Sequence, residues 1–228
     1  RAGYNGSKAQ ANSIIIKYLK DRGIKNIEGL IITHFDNDHS GGATDIMKSL
    51  RVKKVYLNSY SDDSMTSKNI YKTIEKLGIN SQIPTNNNSI YAEKDLNLKT
   101  YFINSETDNE KSIITLLSYK DFDMLFTGDA GVKAFKELKN SLPRNVEVLK
   151  VGHHGGPRVV NNDMLDYFKT QVSIISTGPN AFGHPNRGTL DLLRNTKITS
   201  DGKSYNILTY NKHKKKYVFS KSLEVIKP

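Results

Sequence analysis

The chain has no cysteine and no tryptophan, few prolines and no long hydrophobic run. Without cysteine, neither a disulfide scaffold nor a thiolate metal site is available, so any metal must be held by imidazole and carboxylate groups. The missing cysteine does not fix the compartment, because an oxidising environment permits disulfides without requiring them. No apolar stretch approaches the roughly 20 residues a membrane span needs. No leader peptide is recognisable, and residue 1 is Arg rather than Met. The chain therefore reads as an N-terminally truncated fragment of something longer.

What is present is an ordinary globular composition. At 228 residues, the chain is long enough for one sizeable core, and without a fixed repeat or a clear linker it reads as a single domain spanning 1–228. Lysine and arginine outnumber the acids 34 to 23, a formal net charge of +11. Such a surplus suits an anionic partner, nucleic acid or an anionic membrane surface. It equally suits the lysine enrichment of a biased genome, which the many Asn and Ile residues share.

Helical and strand-like segments alternate. Residues 7–22 read as a helix, with Ser7 and Gln10 in a capping-box spacing, Ile14, Ile15, Tyr18 and Leu19 on one stripe, and Gly23 as its stop. Strand-like segments are expected at 30–33, 52–57, 96–103, 112–119, 122–127, 146–151, 172–176, 205–210 and 217–220. Helices are expected from about 43 to 50 and at 67–77, 131–141, 162–169 and 188–195, with 86–88 as a loop. This order, with an antiparallel run in the middle, predicts a layered α/β sandwich with helices outside.

Four loops that follow strands carry the chemistry. The first, residues 33–42 (THFDNDHSGG), places His34, Asp36, Asp38 and His39 within six residues. Neutral imidazole and carboxylate oxygen suit zinc, manganese or iron. The second, 126–131 (FTGDAG), ends an apolar strand with Asp129, a carboxylate that could serve two ions. The third, 151–156 (VGHHGG), pairs His153 and His154 in a glycine-rich turn. His153 reads as a metal ligand or a contact to a scissile phosphate, and the competing reading for both is a structural imidazole bonded to backbone. The fourth, 176–186, carries His184 before Pro185. His213, within the basic run 212–216, reads as a solvated turn that could touch phosphate.

These motifs resemble the metallo-β-lactamase superfamily. His34-x-Asp36-x-Asp38-His39 with Gly41 and Gly42 is similar to its His-x-His-x-Asp-His signature, with Asp36 where most members have His. Thr127-Gly128-Asp129 resembles the bridging-Asp motif, and His184 the final His. Asp36, the run 149–155, Gly183-His184-Pro185 and Asn109-x-x-Ser112 together resemble the C-terminal domain of the ComEC-type competence proteins, which take up DNA. Asn109 and Ser112 fall where other superfamily members supply another His ligand. Two departures stand out. The first strands usual in the family are missing before residue 1, and Gly156 replaces a frequent Ser.

The resemblance implies an αββα sandwich lacking its first N-terminal strands and a metal-dependent hydrolase with one or two divalent ions, Zn²⁺ or Mn²⁺. His34 and Asp36, helped by Asp129, would hold one ion. Asp38, His39 and His184 would hold the second, with Asp129 bridging. Asp38 and His153 are the expected catalytic groups, Asp38 orienting the attacking hydroxide. Asn109, Ser112, His154, Lys150, Arg158 and Arg187 are candidate substrate contacts. The implied substrate is DNA, hydrolysed at phosphodiester bonds during uptake, in a longer protein carrying a membrane channel. Membrane association through that channel is then expected, and a cytoplasmic location otherwise. Two other readings stand beside this one: a soluble hydrolase of a small ester, thioester or lactam, and a catalytically inactive DNA-binding domain of a channel.

Overall fold

The computed structural model of the chain describes residues 11–58, 63–178, 180–193, 196–198, 206–211 and 216–221. The expected Ser7–Gln10 cap and the basic turn around His213 lie outside them.

The chain enters on a π-helical turn, Ala11–Ile16, that continues into α1, Lys17–Asp21. A short strand β1, Asn26–Ile27, pairs in parallel with β3, Arg51–Val52. Strands β2 (Leu30–Ile32), β4 (Lys54–Leu57) and β5 (Asn80–Gln82) form a three-stranded parallel sheet. Parallel strands need crossover connections. Here they are α2 (Asn37–Ser40) with α3 (Ala43–Ser49), and then α4 (Met65–Leu77).

Helix α4 shows why such a segment starts and stops. Ser64 accepts from the Ser67 amide at 3.1 Å, and Gly78 closes the helix at φ +61°. Its Ile70 and Ile74 bury against Ile46 and Met47 of α3 and against Val55 and Leu57 of β4. The intervening Tyr56 takes the other face of β4, as strand alternation requires, and its hydroxyl donates to the Ile90 carbonyl at 2.8 Å.

Ile90 belongs to the larger sheet. Its antiparallel part is β6 (Asn88–Glu93), β7 (Leu96–Tyr101), β8 (Ile114–Tyr119) and β9 (Phe122–Phe126). From β9 it continues in parallel through β10 (Val148–Lys150), β11 (Val172–Ile175) and β12 (Thr196–Ile198). Helices α5 (Val132–Leu138), α6 (Asn162–Phe168) and α7 (Arg187–Leu192) lie in the connections. Phe135 and Phe168 pack edge-on at 5.3 Å over a core that includes Leu125, Leu149 and Ile175. An antiparallel ribbon, β13 (Asn206–Asn211) with β14 (Lys216–Lys221), follows.

The expected α/β sandwich is the observed architecture. Strand β5 and most of β6 went unread, because 80–82 is wholly exposed and polar and 88–93 lies beside an Asn run. Such edge strands carry no hydrophobic alternation for a sequence reader to detect.

Topology fixes the position of the chemistry. Strands β9, β10 and β11 are mutually parallel, so their C-terminal ends share one edge. The end of β2 is stitched to the same edge, where the Thr33 carbonyl accepts from the Ile113 amide and from Asn58 Nδ2, each at 3.0 Å. Two glycines let the loops meet. A Cβ on Gly152 would lie 2.4 Å from the Ala130 carbonyl oxygen, and one on Gly128, at φ +57°, would lie 2.8 Å from Ser112 Cβ. Gly152→Ala should therefore cost about 1–3 kcal/mol by overpacking. Urea unfolding should show the lower midpoint; an unchanged midpoint would mean that the loops separate without penalty.

Candidate metal centre

As β2 ends, Thr33 and His34 turn into the seam between the sheets. His34 is buried, and its Nδ1 lies 3.1 Å from Thr33 Oγ1 and 3.1 Å from Ser112 Oγ. Ser112 Oγ also accepts from the Asp129 amide at 3.1 Å. A hydroxyl has two lone pairs, so Ser112 can accept from both groups. The two hydroxyls thus hold the Nδ1 side of the ring and turn Nε2 towards the neighbouring carboxylates. Nε2 of His34 is buried and has no hydrogen-bond partner. It faces Asp36 Oδ2 at 3.5 Å and Asp129 Oδ2 at 3.8 Å. An unpartnered buried polar atom ordinarily costs about 1–3 kcal/mol. A buried imidazole nitrogen without a hydrogen-bond partner, facing two carboxylates, is an arrangement a metal cation would satisfy.

The short α2 presents the next groups. Asp36 stands at its N-cap position but caps no amide. Its carboxylate turns to His34 Nε2 at 3.5 Å instead, and that imidazole beside it holds its pKa below the ordinary value, against the partial burial that would raise it. His39 Nε2 lies 3.0 Å from Asp129 Oδ1, 3.6 Å from Asp38 Oδ2 and 3.2 Å from His154 Nε2. His154 Nε2 is 2.9 Å from Asp38 Oδ2, while its Nδ1 is 2.7 Å from the Ser176 carbonyl. A carbonyl only accepts, so Nδ1 donates, and in the neutral ring Nε2 presents a lone pair to a carboxylate oxygen. A bound cation relieves that opposition.

Two triads result: His34, His39 and Asp129, and Asp38, His39 and His154, with the ligand atoms of each within 4.8 Å of one another. Burial alone would push the Asp129 carboxyl up. The hydrogen bond from His39 and the charges of His39, His34 and His154 outweigh it and bring the pKa down to about 2. Burial lowers His39 below the usual imidazole value, an effect that Asp129 only partly offsets. At neutral pH the centre thus has neutral His39 beside ionised Asp129. This His and carboxylate set fits a divalent ion such as zinc, manganese or iron.

His34, Asp36, Asp38, His39 and Asp129 meet in one place, and His153 borders them. The His153 amide donates to Asp129 Oδ1 at 3.1 Å, and its Nε2 lies 4.0 Å from Asp129 Oδ2. Two expected site residues lie elsewhere in this geometry. His184 lies in neither triad; its ring meets His153 edge-on at 4.9 Å, and His154 occupies the place beside Asp38 and His39. The cause is backbone geometry. His153, His154 and Gly155 all have positive φ, +44°, +53° and +77°, a turn that carries the second imidazole into the centre. Ser112 is fully buried beside His34, its hydroxyl 3.1 Å from the His34 ring and accepting from the Asp129 amide.

The remaining candidates lie outside the triads. Lys150 Nζ donates to the Val151 carbonyl at 2.8 Å, and Arg187 is paired with Asp191 at 2.9 Å. Arg158 is exposed, and the Asn109 carbonyl accepts from the Ser112 amide. Sequence reading missed Thr33, Asn58 and Glu110. Glu110 accepts from the Gly131 and Ala134 amides at 3.2 and 3.1 Å, fixing the start of α5 just after Asp129. Only its nearness to Asn109 and Ser112 could have signalled it.

The sequence profile of the metallo-beta-lactamase superfamily matches residues 2–178. The chain is 26% identical over 190 residues to ComE operon protein 3 of Bacillus subtilis (strain 168), covering 81% of this chain and 24% of that protein. It is 30% identical over 176 residues to Recombination protein 2 of Haemophilus influenzae, covering 76% and 20%. The chain thus spans about a quarter or less of the length of these relatives. Among solved structures, a mutant of the CmlA beta-hydroxylase of Streptomyces venezuelae superposes with a TM-score of 0.51 at 13% identity, covering 76% of this chain and 43% of that one, a likeness of fold alone.

Ser112→Ala should leave the fold intact yet weaken metal affinity about 10–100-fold, the usual cost of losing a group that orients a ligand. Competition against a chelator should read this; an unchanged affinity would leave His34 oriented without Ser112. A second expectation concerns acid. A carboxyl held down in the folded state adds stability above its unfolded value near 3.8 and loses it as pH falls through about 2. Metal-free protein should lose stability across that window, and Asp129→Asn should remove that part of the slope. An identical acid limb in the variant would refute the coupling.

Proposed function

The chain belongs to the metallo-β-lactamase superfamily, whose members are generally metal-dependent hydrolases, and from that premise we propose that it hydrolyses phosphodiester bonds of DNA during DNA uptake. The observation that carries the hydrolytic part is the bare, buried Nε2 of His34 beside two triads that share His39. The relationship to ComE operon protein 3 and Recombination protein 2 supports the DNA part. So does the net charge of +11, since neutralising phosphates is the main electrostatic source of nucleic-acid affinity.

In this reading His34, Asp36 and Asp129 hold one ion, and Asp38, His39 and His154 the other, with Asp129 between them. Zn²⁺ and Mn²⁺ both suit the set. Bound there, such ions lower the pKa of a ligated water towards about 7 and polarise the electrophile.

The chain's own groups do the rest. Asp129, ionised well below neutral pH, supplies a fixed negative charge that both triads feel. Asp38 is partly exposed, and its carboxylate can accept a hydrogen bond from the attacking hydroxide and orient it. The Thr33 and Ser112 hydroxyls hold the Nδ1 side of His34 and the Ser176 carbonyl that of His154, so that each turns Nε2 to the centre. His153 is half-buried and borders Asp129, which suits it to donate to a phosphoryl oxygen. Arg158, Arg187 and Lys150 are weaker candidates for the path of the strand.

The chain acts in this reading as one domain. Among the described residues, no helix is long and apolar enough to cross a membrane.

The test is cleavage of labelled single-stranded DNA by the chain with Mn²⁺ or Zn²⁺ and with chelator. Cleavage should require metal and fall about 100-fold or more in Asp38→Ala. Bound metal without any DNA cleavage would instead favour a small ester, thioester or lactam as substrate. Failure to bind metal would favour an inactive DNA-binding domain.

A further inference from the structure

Phe182 is 68% exposed, a large aromatic side chain presented to solvent. A single apolar residue at the surface is normally no sign of function. Two observations set this one apart.

The first is that its loop is held. Asn180 Oδ1 accepts from the amides of Phe182 and His184, each at 3.1 Å. Asn180 Nδ2 donates to the carbonyls of Gly178 at 2.9 Å and His184 at 2.6 Å. One side chain thus uses all four of its hydrogen-bonding positions to shape the turn that displays Phe182.

The second is where that turn points. The Phe182 ring lies 6.2 Å from the His184 ring, tilted by 35°. His184 meets His153 edge-on at 4.9 Å, and His153 Nε2 is 4.0 Å from Asp129 Oδ2. Gly156 makes room for this row of rings, since a Cβ there would lie 3.0 Å from His184 Nε2. An exposed phenyl ring therefore continues a line of imidazoles that begins at the metal centre.

We propose that Phe182 is a stacking platform for an unpaired nucleobase of the strand whose phosphodiester enters the metal centre. This rests on the nuclease reading above and deepens it by naming the substrate class as single-stranded nucleic acid. Every base has a π-face, so such a platform is tolerant of sequence. It requires a base free of its duplex partner, which selects single strands over double strands. The flanking imidazoles suit the adjoining phosphates.

The experiment is steady-state cleavage by the metal-loaded protein of two single-stranded oligonucleotides of equal length, one of thymidine residues and one abasic on the same sugar-phosphate backbone. Phe182→Ala should raise KM for the thymidine strand about tenfold with little change in kcat. It should leave KM for the abasic strand unchanged, and Phe182→Trp should restore the thymidine value. An unchanged KM, or an equal rise on both strands, overturns the stacking role while the nuclease reading stands. If the unaltered protein cleaves neither strand, the nuclease reading falls and this inference falls with it.

Discussion

The hydroxyl of Ser112 is the point on which the centre depends. It accepts from the Asp129 amide and lies 3.1 Å from the His34 ring, two residues brought in by strands β9 and β2 of different sheets. Remove it, and a buried imidazole loses a hydrogen-bond partner while a buried amide loses its acceptor. Because these bonds lie out of water, leaving either unmade costs far more than the same bond gains at the surface. The neighbouring contacts serve the same junction. Thr33 accepts from the Ile113 amide and from Asn58, and Gly128 is shaped to approach Ser112 without a side chain in the way.

The centre also concentrates conformational strain. Residues 153–155 hold three successive left-handed backbone conformations, two of them on histidines. Each such residue costs on the order of 1 kcal/mol without glycine's freedom. The turn is held by bonds on both sides: Gly156 N donates to the His153 carbonyl, Asn186 N to the Gly155 carbonyl, and Thr189 Oγ1 to the Gly156 carbonyl. This strain lets two adjacent histidines serve different purposes, one inside the triad and one at its border.

Electrostatics favour the same assembly. Four imidazoles and three carboxylates crowd one seam, and the buried Asp129 is kept ionised by its neighbours despite the cost of burial. This crowding places nitrogen and oxygen atoms of several of these groups about 3 Å apart. It becomes favourable once cations are present, which ties the stability of the centre to metal binding.

The sequence alone determined the layered α/β class, the strand-end loops and the cluster His34, Asp36, Asp38 and His39. These are encoded in contiguous patterns: apolar runs, glycine stops and ligand-type residues at short spacing. Asp129 was legible too, because it follows a strand at a Gly-Asp turn. Only the tertiary structure decided which histidine completes the second triad. His153, His154 and His184 all sit in loops after parallel strands, and their local sequences do not distinguish them. The left-handed turn at 153–155, held by contacts from the loop at 186 and from α7, points His154 inward and leaves His184 against His153. Ser112 likewise read from sequence as a candidate substrate contact, and only the packing ahead of β8 shows it buried against His34. Both outcomes depend on bonds between residues far apart in the chain, and local sequence carries no record of such bonds.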